Sequence, residues 1–96
     1  MRILGAVTDI PFAGTRVQLS NSADRVYWIK VKAHPSNTGN IIFGDSSVSA
    51  TAGFVLTATD TVGVELDLRP GSVAMSTFWA DTATNGNDIV WLVLKE

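Results

Sequence analysis

The side chains able to do chemistry are few, and they fall in separate places along the chain. A single histidine, His34, stands directly before Pro35 at the end of an apolar run, where it could act as a general base only with an acid or nucleophile brought from elsewhere. A histidine that caps a turn gives the same letters with no chemistry, and a lone copy favours that reading. The stretch DTATNGND, residues 81–88, gathers Asp81, Asn85, Asn87 and Asp88, whose hard oxygens are of the kind calcium takes. Its spacing does not match the helix-loop-helix calcium loop, and a hairpin turn rich in Asn, Asp and Gly accounts for it without an ion. Glu65, Asp67 and Asp81 could supply the carboxylate pair of a glycoside hydrolase, with Glu65 and Asp67 on one face of a strand roughly 7 Å apart. Polar positions on the wet side of a sheet are the simpler account of all three. There is no G-x-S-x-G elbow, phosphate-binding lysine loop, dinucleotide glycine pattern or H-E-x-x-H. The expectation is a protein without catalytic residues, cofactor or metal. Binding is better supplied, since Trp28, Trp79 and Trp91 each offer a flat apolar platform to a sugar ring or to a protein partner.

The elements that must position these residues read as strands. Val, Ile and Thr supply 27 of the 96 residues, and Gly, Pro, Asn or Asp interrupts nearly every run, which favours pleated strands joined by turns. In residues 26–34, Tyr27, Ile29, Val31 and Ala33 share one face, leaving Val26, Trp28, Lys30, Lys32 and His34 on the other. Residues 61–68 alternate strictly, with Val62, Val64, Leu66 and Leu68 expected inward. Residues 89–95 are apolar at six consecutive positions, as in a strand covered on both faces. Weaker strands are expected at 3–8, 15–20, 40–44, 54–57 and 76–81. Turn signals lie between them at Pro11 and Gly14, residues 21–24, 35–39, 69–72 and 84–87. About eight short strands at even spacing predict an all-β fold, an antiparallel β-sandwich or jelly-roll-like barrel. Residues 45–53, DSSVSATAG, are expected to form an ordered loop with one short bridge near Val48, the alternative being a short helix capped by Asp45 or Ser46.

Ninety-six residues make one domain, 1–96, around a single core. Seven Lys and Arg against nine Asp and Glu leave a net charge of −2 with no basic run, which argues against nucleic acid as a partner. No cysteine is present, so disulfides and thiolate chemistry are excluded. The opening MRILGAVTDIPFAG is too short and too interrupted by Asp9 and Pro11 for a signal peptide or a membrane span, and no membrane partner is expected.

Trp28 shares its face with Lys30 and Lys32, and Trp79 shares its face with Thr77 and Asp81, so two indoles stand on faces otherwise marked for water. Large aromatics ringed by polar groups are the usual anchors of protein interfaces. With Trp91 on the apolar C-terminal strand, these residues predict a symmetric homo-oligomer.

The order NTGNIIFGDSSVSATAGFVL at 37–56, then a polar strand, then FWADTATNGNDIVWLVL at 78–94, resembles the small virion structural proteins of tailed bacteriophages. The similarity covers about residues 15–94 and departs from the pattern at Met75 and Trp79. The resemblance implies a β-sandwich subunit that forms a trimer and binds the major capsid protein on the outer surface of the assembled head, as a decoration or cement protein. In that setting the small residues of 45–53, Ser47 and Ala50 among them, would let the loop pack closely against a neighbouring subunit or the shell. A head-fibre or tail component would share the same fold and composition, and a carbohydrate-binding adhesion module is the remaining alternative.

Overall fold

A computed structural model describes all residues, Met1–Glu96. Nine strands follow one another: β1 Arg2–Ile10, β2 Val17–Gln18, β3 Arg25–Ala33, β4 Ile41–Gly44, β5 Phe54–Leu56, β6 Val64–Asp67, β7 Val73–Ala74, β8 Trp79–Thr82 and β9 Asn87–Lys95. They build two antiparallel sheets that pack as a β-sandwich. One runs β1-β9-β3-β6, with β7 also pairing β3, and the other runs β2-β8-β4-β5. The alternation fixes which face meets the core: Ile29, Val31 and Ala33 of β3 stand opposite Val93, Trp91 and Ile89 of β9, all buried. From the other sheet Ile41, Phe43, Leu56 and Ala80 meet them. Phe43 and Phe78 stack there with ring centroids 5.8 Å apart. Each such side chain withdrawn from water contributes about 2 kcal/mol toward the chain entropy that folding must overcome.

Several expected details differ, each for a physical reason. A β-bulge in β3 shifts the register between Val26 and Trp28, so the extra residue Tyr27 stays half-buried and Val26 turns into the core, away from the wet face assigned to it by simple alternation. Val62 is not inward but 66% exposed, because the strand begins only at Val64, after a turn held by the Asp60 carboxylate accepting from the Val62 and Gly63 amides. The expected strand at 76–81 is split: Met75–Thr77 form one 3₁₀ turn that buries Met75, and the strand starts at Trp79. Residues 45–53 hold no helix; Val48 N–H closes a turn on the Asp45 carbonyl, and Ser49 bridges Ala52.

Candidate interaction surface

The side chains named from sequence do not converge on one site. Trp28, Lys30 and Lys32 lie on the outer face of the five-stranded sheet, Ser47, Ala50 and Trp79 lie on the opposite side of the sandwich, and Trp91 lies in the core. Trp91 is therefore corrected from an interface residue to a structural one. It faces inward across from Val31, is 5% exposed, and its indole N–H donates to Thr8 Oγ1 at 3.0 Å, while that hydroxyl donates to the Leu19 carbonyl. Trp79 is half-buried beneath the Arg16 guanidinium, 5.8 Å from its ring centre. Ser47 and Ala50 are exposed at the tip of the 45–53 loop, but the loop itself folds back on its own sheet.

The outer face of the five-stranded sheet is the one that stays open, and register defines its rows. Ile3 lies beside Leu94 and Trp28, Gly5 beside Leu92 and Lys30, Val7 beside Val90 and Lys32, and Asp9 beside Asp88. Beyond β3, Trp28 and Lys30 stand opposite Asp67 and Glu65 of β6. The strand β9 is thus buried on one face only, contrary to the reading of its unbroken apolar run. Ile3 and Val7 are exposed, and so is Leu92 at 38%. Val7, Leu92 and Val62 border a groove of about 400 Å³ that also touches Lys30 and Lys32. Neither lysine has an ion-pair partner, because the two ion pairs of the protein join Arg69 to Asp67 and Lys95 to Asp24. The result is an apolar stripe on β1 and β9 flanked by two free cations.

At the far end of this face the Asp9 and Asp88 carboxylates stand side by side. Partial burial, then the hydrogen bond and charge of Asp9, push the Asp88 carboxyl above the ordinary carboxylate range, and His34 opposes the shift. His34 itself is turned to its own turn, with Nδ1 accepting from Ser36 N–H at 3.1 Å and lying 2.7 Å from Ser36 Oγ.

The side-chain oxygens of Asp81, Asn85 and Asn87 are absorbed by structure, which leaves only the Asp88 carboxylate of that stretch. Buried Asn87 donates from Nδ2 to the hydroxyls of Thr82 and Thr84, each at 2.9 Å, and its Oδ1 accepts from Thr38 N–H. Asp81 Oδ1 accepts from the amides of Gly14 and Thr82 at 3.0 and 2.7 Å. The structure contains no group of three His, Asp or Glu side chains placed to hold a metal ion. A second groove, about 420 Å³, opens between the sheets where β5 and β6 leave the sandwich unclosed, lined by Phe43, Phe54, Leu66 and Phe78.

Sequence reasoning missed Ile3, Val7 and Leu92, the exposed members of the stripe, and the exposed Val62 that shares the groove with Val7 and Leu92. A signal existed: residues 3–7 are apolar throughout, with charge only at Arg2 and Asp9. Geometry thus defines a class, a small β-sandwich with one bare apolar face. No protein-family model, curated protein or solved structure matches the chain.

Proposed function

We propose that this chain is a non-enzymatic structural protein of a tailed-bacteriophage virion, a decoration or cement subunit that self-associates and binds the outer surface of the assembled capsid. The observation that carries the proposal is the uncovered apolar stripe Ile3, Val7, Leu92 and Val62 beside Lys30 and Lys32, a surface suited to protein rather than to a small substrate. The resemblance of segments 37–56 and 78–94 to small phage virion proteins supplies the partner, the major capsid protein. His34, Asp81 and Asn87 support a non-catalytic reading because hydrogen bonds inside the fold already engage them.

The mechanism is thermodynamic. A subunit that binds the assembled shell and not its dissociated parts stabilises the shell in proportion to occupancy, and many weak copies set by symmetry act together. The test is survival of purified particles on heating, with the protein removed and then restored. Slower disruption on restoration supports the cement role, and equal survival argues for display or adhesion. Locating the chain in a purified particle separates the head from a fibre or the tail. Trp28, half-buried on the open face, keeps a glycan-binding module as the second reading. Glycan-dependent quenching of tryptophan fluorescence would favour it.

A further inference from the structure

We propose that β1 is the pairing edge of a two-fold dimer, in which Arg2–Ile10 of one copy lies antiparallel to the same strand of a second copy and joins the two five-stranded sheets into one. The proposal goes beyond the virion reading and stands whether or not the open face meets a capsid.

Five strands border the sheets: β1, β6 and β7 in one, β2 and β5 in the other. Four carry the usual protection of sheet edges, since β2 and β7 have two residues each and β5 three, and β6 has four with Glu65 and Asp67 exposed along it. β1 has nine residues, no proline before Pro11, and no charge between Arg2 and Asp9. It is also exposed on both faces from Arg2 to Val7, because the second sheet covers only the end at Thr8 and Ile10. Such a strand presents a row of unpaired amides and carbonyls, about four of each kind of bonding group along nine residues.

The occupant follows from length and charge. Among this protein's own edges only β1 is long enough to match β1, so the contact is isologous and closes as a dimer. The trimer implied by the phage resemblance would need a head-to-tail contact, for which β1 finds no edge of matching length. An antiparallel copy sets the Arg2 end beside the end where Asp9 and Asp88 crowd, whereas a parallel copy would set like charge against like. A two-fold axis normal to the sheet keeps the outer faces on one side, so opposed residues must share a face. With Gly5 opposite Gly5, Ile3 meets Val7 on the outer face and Leu4 meets Ala6 on the inner one. The Ile3, Val7 and Leu92 stripes of both copies then merge into a single patch.

Sedimentation of the full chain at high micromolar concentration should give twice the 10.2 kDa of one chain, with slowed amide exchange confined to alternate residues of β1. The double variant Leu4→Lys, Ala6→Lys gathers like charge around the two-fold axis at two exposed positions and should sediment as a folded monomer. Mixing it with Leu4→Glu, Ala6→Glu should restore the dimer mass, which a variant that merely misfolds would not do. A wild-type monomer at every concentration, a three-chain mass, or undiminished dimerisation of the lysine variant overturns the proposal. So does a chain whose β1 amides are protected only on a particle, which would give the edge to the shell.

Discussion

The two outer faces of the sandwich carry similar side chains and meet opposite fates. Ile42 on β4 and Leu92 on β9 both point away from the core, yet Ile42 is 3% exposed and Leu92 is 38% exposed. The difference is made by loops. Residues 45–53 fold back over β4, with Gly44 lying under Val48 and Gly53 lying between Val48 and Ile42. Residues 11–16 fold over β8, anchored by Gly14 N–H on the Asp81 carboxylate and by Arg16 over Trp79. No loop reaches across β1 and β9. The small Ser, Ala, Thr and Gly residues after Gly44 therefore roof β4 of the chain's own sheet, although Val55 on β5 opposite Ile42 stays exposed, and β1 and β9 have no such cover.

Truncation should expose this contrast most sharply. Ile42→Ala removes a buried side chain outside the main core and should cost about 3 kcal/mol in urea unfolding, whereas Leu92→Ala, at a side chain 38% exposed, should cost about 1 kcal/mol. If the virion proposal holds, Leu92→Ala weakens particle binding as well. Equal losses of stability at the two positions would break the comparison. Gly53→Ala tests the roof itself. Gly53 has φ 146°, and a Cβ there would sit 2.6 Å from Ile42 Cγ2 and 2.8 Å from Val48 Cγ2. Strain and crowding together should cost about 2 kcal/mol, read as a lower urea midpoint with unchanged slope. An unchanged midpoint would mean that the loop does not hold Ile42 out of water.

Much of the fold was legible because local chemistry agreed with it. Alternation in Ile29, Val31 and Ala33 marked a core face, Pro11 ended the first strand, and Asn85-Gly86 marked a turn, with Gly86 at φ 78°, although that turn carries the chain from β8 in one sheet to β9 in the other and closes no hairpin. What failed depends on contacts far along the chain. An inserted residue at Tyr27 has no signature of its own, yet it sends Val26 inward. Residues 89–94 are apolar at every position, so parity alone could not tell Trp91, which faces the core, from Leu92, which does not. The candidate surface was half legible for the same reason: Trp28, Lys30 and Lys32 were placed by alternation, while Ile3 and Val7 needed the knowledge that nothing covers β1.

The smallest expected effect concerns two carboxylates that the outer faces treat differently. Asp81, beneath the loops, accepts two backbone N–H groups, while Asp88 on the open face adjoins another carboxylate, Asp9. Burial and then the neighbouring Asp9 raise the Asp88 carboxyl in the folded chain above its unfolded value. The native state therefore holds this proton more tightly than the unfolded chain does, so the site costs nothing below the unfolded value and loses stability as pH rises through the folded one. Asp88→Asn should accordingly stabilise the protein by about 0.5 kcal/mol at neutral pH, the scale of one like-charged cross-strand pair. The gain should fade in acid, where wild-type Asp88 is already protonated. Asp24, held low by Lys95, and Asp67, held low by Arg69, act with the opposite sign and weaken both proteins alike as pH falls through their folded values. Unfolding curves of the two proteins across pH should thus converge at the acid end and separate toward neutrality. A gain of the same size at both ends would mean that Asp88 carries no electrostatic strain and that the open face is as well compensated as the covered one.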